Sequence, residues 1–203
     1  MTSSEEGQPR ALKKMKYYHG QAPQKVEMSI RGKKVFLSAV EESSLEQLRL
    51  WRNKPELRKY FREYREINKA MQQRWYENMV LGDKEQVNFE IHDIEGGKLI
   101  GHYGLYYIDW INRHAEFGIY VGDLEYRSGG YGSDALRALI EYGFKDLNLN
   151  KIWCEVYTNN DALDIYRHIG FKDEGLIRQH YFNEGKYWDA NLLSLLRCEY
   201  EMD

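Results

Sequence analysis

The chain has 203 residues, 42% hydrophobic and 30% charged, which supports one sizeable core and excludes a disordered polymer. Its formal net charge of -3 gives no electrostatic footprint for a nucleic-acid partner. No apolar run nears the roughly 18 residues that span a bilayer and no secretory h-region follows the first methionine, so a cytoplasmic protein without a membrane partner is expected. Cys154 and Cys198 lie in apolar runs and read as reduced, packed thiols, and no metal site is expected from so few soft ligands.

Residues 1–25 are polar and aperiodic and read as a flexible tail; residues 26–203 read as one domain. Val26, Met28 and Ile30 alternate, Arg31-Gly32-Lys33-Lys34 turns, and Val35-Phe36-Leu37 follows, which predicts an opening hairpin. Ser43 and Glu46 have capping-box spacing before Leu45, Leu48 and Trp51, Pro55 suits the first turn of a second short helix, and Asn68 can cap a third. In that third helix Met71, Trp75 and Met79 recur every four residues, which places them on one face. Three strands are predicted next, around Val87–Ile91, Leu99–Ile108 and Ala115–Val121, joined as an antiparallel meander. From Ser133 the period becomes helical, with Leu136, Leu139, Ile140, Gly143 and Phe144 on the inner stripe. A strand at Ile152–Tyr157, a short helix stopped by Gly170 and strands at Phe171–Phe182 and Trp188–Cys198 complete an α+β pattern with a mixed sheet.

The segment that carries chemistry is Arg127-Ser128-Gly129-Gly130-Tyr131-Gly132-Ser133, between a strand and a helix. Glycine allows positive φ and close approach of an anion, and the unpaired N–H groups of a helix's first turn favour one, so this loop is expected to wrap a pyrophosphate. No lysine follows the last glycine, so it is not a triphosphate-binding loop. Arg127-x-x-Gly130-x-Gly132 resembles the pyrophosphate loop of GNAT acetyltransferases, and Asn159 to Phe171 resembles that family's N-x-x-A-x-x-x-Y-x-x-x-G-F element. The resemblance covers about Lys33 to Cys198 and implies a GNAT fold whose sheet splays between strands 4 and 5. It also implies acetyl-coenzyme A as cosubstrate and acetyl transfer to a primary amine, with a homodimer left open.

By that resemblance Tyr166 donates a proton to the departing thiolate, Asn159 contacts the pantetheine or supports its loop, and backbone groups of Tyr120 and Val121 bind the pantetheine like an added strand. A free alkylamine titrates near 10.4, so only about one molecule in a thousand or fewer is nucleophilic at pH 7 and a base is needed. Glu116 on the strand entering the loop is the first candidate, Glu155 the reserve, and His102 and His114 are further alternatives. The segment Leu50 to Phe61, with Arg65-Glu66-Ile67, resembles acetyltransferases of nucleotide-linked amino sugars, which makes Trp51, Arg52, Phe61 and Arg65, with Tyr60, Arg62, Tyr64, Tyr103 and Trp110, the expected acceptor wall. Trp51 and Phe61 also fit as core residues of amphipathic helices. A polyamine acceptor, served by Glu56, Glu63 and Glu66, and a protein N-terminus are the alternatives, with a non-catalytic coenzyme A binder more remote.

Overall fold

The structure, a computed structural model, describes residues 30–200; the tail and the Val26–Met28 part of the expected hairpin lie outside the described residues. Eight strands form one sheet: β1 (Ile30–Arg31), β2 (Val35–Ala39), β3 (Val87–Asp93), β4 (Leu99–Asp109), β5 (His114–Val121), β6 (Lys151–Tyr157), β7 (Lys172–Asn183) and β8 (Lys186–Leu196). Their order is β1-β2-β3-β4-β5-β6-β8-β7, antiparallel throughout except between β5 and β6. Helices α1 (Leu45–Asn53), α2 (Pro55–Arg58) and α3 (Lys69–Trp75) precede β3, α4 (Tyr131–Lys145) joins β5 to β6, and α5 (Leu163–Ile169) joins β6 to β7. This is the expected α+β architecture with a mostly antiparallel mixed sheet.

The helices form where side-chain spacing gives them a buried face. Leu45, Leu48 and Trp51 put α1 on the sheet, and Pro55 opens α2. Leu136, Leu139, Ile140 and Phe144 of α4 are almost fully buried, which contributes about 1.5–3 kcal/mol each. Asn68 caps α3 as expected, its Oδ1 accepting from the Met71 N–H at 2.9 Å.

Two local expectations fail. The capping box at Ser43 and Glu46 does not form, because Ser43 lies inside a 3-10 turn, Glu42–Ser44, and the residue that precedes α1 is Ser44, which has helical angles (φ -88°, ψ -12°) and makes no side-chain cap bond. Glu46 pairs with Arg49 instead. Past Trp75 the third helix widens into a π-helical stretch, Tyr76–Leu81, which breaks the four-residue repeat and leaves Met79 exposed at 40%. Cys154 is buried as expected, whereas Cys198 is exposed because β8 ends at Leu196, before it.

The main core lies between the sheet and α4 with α5. A smaller cluster of Val40, Leu45, Leu48, Trp51, Leu57 and Tyr120 holds α1 and α2 against the other face. β5 and β6 pair at only three positions, His114↔Lys151, Ala115↔Ile152 and Glu116↔Trp153, and then diverge. That divergence is the splay expected between the family's fourth and fifth strands, since the two-residue β1 adds one to the count here.

Candidate active site

β5 stops because the N–H groups of Gly122 and Asp123 both donate to the Ile100 carbonyl, at 2.8 and 3.1 Å. The chain then turns, and Arg127 Nε donates back to the Val121 carbonyl at 3.2 Å. Ser128 and Gly130 take φ of 64° and 80°, a region that costs a residue with a Cβ about 1–2 kcal/mol. Gly130 then starts α4, whose first backbone bond is Asp134 N–H to Gly130 carbonyl at 3.0 Å. The N–H groups of Tyr131, Gly132 and Ser133 thus lack intrahelical partners at the helix's positive end.

The opening hairpin braces this loop. The Asp134 carboxylate accepts from the backbone N–H groups of Lys33, Lys34 and Val35 at 3.0, 2.7 and 3.0 Å, and Lys34 Nζ donates to the Gly129 carbonyl at 2.8 Å. Nothing in the sequence signals these contacts across about a hundred residues. A cleft of about 420 Å³ begins at Arg127, Ser128, Gly130, Gly132 and Ser133, follows Ile119–Val121 and ends at Asn160 and Tyr166. Gly129 and Tyr131 buttress the loop from outside the lining: Gly129 through Lys34, Tyr131 by packing edge-on to Tyr126 with ring centroids 4.9 Å apart. Asn159 also lies outside the lining, with its Oδ1 buried and unpartnered.

Alternate residues of β5 face the opposite side. Register pairs His102 with Tyr120, Gly104 with Gly118 and Tyr106 with Glu116. The Tyr106 ring lies over both glycines, and a Cβ on either would come within 2.6–2.9 Å of it, so these two glycines serve packing. His102 stacks on Tyr120 at 5.6 Å and meets Trp75 edge-on at 5.4 Å. Above them, a cavity of about 300 Å³ is lined by Arg52, Arg65, Arg74, Glu63 and His102, with Tyr120 shared between this cavity and the cleft. Arg52 stands 4.5 Å over the Phe61 ring and keeps a buried, unpartnered Nε.

At the splay Arg62 joins the two strands. Its guanidinium donates to both Glu116 oxygens, at 3.0 and 2.5 Å, and to Glu155 at 2.8 Å, and His180 Nε2 lies 3.3 Å from Glu155. Burial works against the Arg62 charge, but the Glu116 hydrogen bonds and the charges of Glu116 and Glu155 outweigh it and raise its pKa above the ordinary guanidinium range. The expected base is thus placed at the splay but with both oxygens occupied, because Arg62 reaches it from 54 residues away.

Other expected site residues are displaced by packing. Trp51 is 4% exposed, and a Cβ at Gly122 would lie 2.1 Å from its indole, so it locks α1 to the exit of β5 and does not line the cavity. Tyr103 is fully buried in the main core, and Trp110 sits at the β4–β5 turn donating to the Lys84 carbonyl, so neither belongs to the acceptor wall. Phe61 and Tyr60 line the cleft rather than the cavity, and Tyr64 is exposed at 79%. Glu63 is held by Arg65 at 2.7 Å, a hydrogen bond that brings its carboxyl down to about 2. Glu56 and Glu66 are exposed outside the cavity. His114 sits 3.8 Å from Asp109, at the far end of β5 from the loop.

Residues 34–172 match the acetyltransferase (GNAT) domain. The chain belongs to the GNAT acetyltransferase family. The chain is 31% identical to spermidine N(1)-acetyltransferase of Vibrio cholerae serotype O1 over 124 residues, 61% of this chain and 70% of that relative. The uncharacterized N-acetyltransferase p20 of Bacillus licheniformis is 35% identical over 55% of this chain and 63% of its own length. The crystal structure of spermidine N-acetyltransferase from Vibrio cholerae in complex with CoA and spermine superposes with a TM-score of 0.78 at 27% identity, covering 82% of this chain and 98% of that one. The GNAT chain is therefore an N-acetyltransferase that uses acetyl-CoA.

The residues present fit that cosubstrate. Arg127 Nη2 is buried without a partner beside the loop. A Cβ on Gly132 would meet only Val121 and Ile119 side chains, at 3.5 and 3.9 Å, so the protein itself does not demand glycine there, and a closely approaching ligand would. Among the described residues, no group of three or more His, Cys, Asp or Glu could hold a metal ion, and no helix is long and apolar enough to cross a membrane.

His102 carries a pH signature of the fold. Burial, aided by the Arg52 charge, pushes it down to about 3, and its Nε2 has no partner. A depressed folded pKa gives stability that is complete above the unfolded value of about 6.5 and lost as pH falls toward 3. Below about pH 6, wild type should lose roughly 1.4 kcal/mol per pH unit relative to His102→Phe, which keeps a ring against Trp75 and Tyr120. Urea titrations across pH 4–7 measure the difference; parallel curves would mean that the imidazole is not held neutral.

Proposed function

We propose that this GNAT chain acetylates the primary amine of a small molecule that also carries an anionic group, as a nucleotide-linked amino sugar does. The observation that carries this reading is the charge of the cavity beside the splay: three guanidinium groups, from Arg52, Arg65 and Arg74, against one carboxylate, Glu63, already paired with Arg65. Buried, unpartnered nitrogens on Arg52 and His102 there suit phosphate and carbonyl oxygens. In this reading acetyl-CoA supplies the acetyl thioester, and its pyrophosphate lies on the loop from Arg127 to Ser133. The open edge of β5 past Glu116 takes the pantetheine as an added strand, near Tyr120 and Val121. Glu116 receives the amine's proton once its oxygens are free. Tyr166 holds a proton for the departing sulfur, since burial, with a contribution from Cys154, lifts its phenol well above the ordinary range and keeps it neutral.

A polyamine acceptor is the second reading, and the comparisons favour it over the amino sugar. Relatives in Vibrio cholerae and Escherichia coli carry the name spermidine N(1)-acetyltransferase, and the superposed crystal structure holds spermine. Glu116 and Glu155 could hold one ammonium, but the remainder of a polycation would meet the arginine-lined cavity.

Turnover with nucleotide amino sugars, polyamines and peptides bearing free N-termini separates the readings. Under the anionic reading Arg52→Ala should raise the acceptor KM about tenfold or more, the worth of one charge-assisted contact. Arg65→Ala should do less, because its charge is already offset by Glu63. Neither variant should change acetyl-CoA affinity. Robust acetylation of spermidine with no activity on any nucleotide amino sugar would replace the first reading with the second.

A further inference from the structure

We infer that the Glu116–Glu155 carboxylate pair is the docking site for the acceptor's ammonium group and that Arg62 is its resident occupant, exchanged for the substrate at each turnover. The inference rests on acetyl transfer to a primary amine.

The segment carrying Arg62 is built as a strap. At one end the Tyr181 hydroxyl lies within hydrogen-bond distance of the Lys59 and Phe61 carbonyls, at 3.1 and 3.2 Å. Tyr181 is itself stacked on Tyr157, with ring centroids 4.0 Å apart. At the other end Asn53 takes both backbone groups of Ile67, at 2.8 Å each, and Arg49 adds a bond to the same carbonyl at 3.1 Å. Between these anchors the hydrogen bonds of the Arg65 and Glu63 side chains among the described residues are with each other, and Tyr64 faces solvent. Among the described residues, the hydrogen bonds tying the middle of the strap to the sheet are those of Arg62, whose side chain is 48% exposed.

Charge then dictates an exchange. Glu116 is 6% exposed, and a buried carboxylate deprived of its partner is strongly unfavourable, so the site needs a cation for as long as Glu116 is ionised. A primary amine reaches the enzyme as an ammonium ion. It can replace the guanidinium without leaving Glu116 unpaired, and Arg62 can withdraw into solvent because the strap's other hydrogen bonds to the described sheet and helices lie at its two ends. The ammonium's proton then passes to Glu116, which leaves a neutral amine and an uncharged carboxyl, a state that a buried position accepts. With Arg62 in place both Glu116 oxygens are taken and no proton can be received there.

Methylguanidinium is the probe. Calorimetry should show it binding Arg62→Ala and not wild type, and binding should vanish when Glu116→Gln is added. With the amine that wild type turns over best, Arg62→Ala should lower the acceptor KM about tenfold, because an internal occupant reduces apparent affinity by the fraction of time it holds the site. Methylguanidinium should inhibit that variant competitively against the amine. The proposal is overturned if Arg62→Ala raises KM and methylguanidinium restores it, the signature of a guanidinium required in the reactive complex. Arg62→Lys serves if Arg62→Ala does not fold: a single-point cation holds the pair less firmly, so KM should fall by less, and an unchanged or raised KM overturns the proposal equally. Absence of wild-type turnover with every amine would count against acetyl transfer, and the calorimetric arm would still decide the role of Arg62.

Discussion

Gly132→Asp should leave a folded protein that no longer binds acetyl-CoA. The new Cβ meets only ordinary contacts with Val121 and Ile119, at 3.5 and 3.9 Å, so no strain is introduced. A carboxylate in the first turn of α4 complements the helix dipole and should hold or slightly raise the melting temperature of the free protein. Against a bound pyrophosphate its sign is wrong. Two like charges about 4 Å apart at an effective dielectric constant near 20 repel by about 4 kcal/mol, which weakens binding about a thousandfold. Wild type should gain about 2.7 kcal/mol of stability at a hundredfold excess of ligand over Kd, and the variant almost none. Gly130→Asp is the poorer test, because at φ 80° any side chain adds backbone strain to the electrostatic effect. Unchanged calorimetric affinity in Gly132→Asp would remove the loop from the cofactor site.

Tyr166→Phe should lower kcat about a hundredfold or more while acetyl-CoA affinity stays near wild type, the pattern of lost general acid catalysis. The ring's packing survives, since its edge contact with Phe117, at 5.1 Å between centroids, needs no hydroxyl. The hydroxyl forms no hydrogen bond with another described residue, so its removal leaves no buried partner unsatisfied. Stability should therefore change little, and a fall in rate would report the proton. Normal turnover in the variant would make the tyrosine structural and leave protonation of the thiolate to water.

Some of this was readable from local sequence. The glycine spacing at Gly130 and Gly132, between a strand and an apolar helical stripe, announced the loop and α4 because positive φ and helix periodicity are local properties. Pro55 and Asn68 announced helix starts for the same reason. The capping box failed because Ser43 was taken into the 3-10 turn that precedes α1, which residue identity alone does not reveal. The Met71, Trp75, Met79 repeat was disrupted where a π-helical stretch replaced the α period.

The acceptor side was far less legible. Trp51, Tyr103 and Trp110 have the composition of a binding wall, yet two are buried and the third lies at a remote turn. Composition cannot distinguish an aromatic that meets ligand from one that meets core. Arg62 was expected as a wall residue, but its grip on Glu116 and Glu155 depends on a strap pinned by Tyr181 and Asn53, residues far apart in the chain. The placement of β8 between β6 and β7 likewise follows from long-range pairing. The sequence by itself determined the element types and the order of strand, loop and helix around residues 127–133, because each depends on neighbours within a few positions. Only the tertiary structure decided which carboxylates face the splay, which arginine neutralises them and which aromatics reach the cavity, because those depend on side chains brought together across tens of residues by packing.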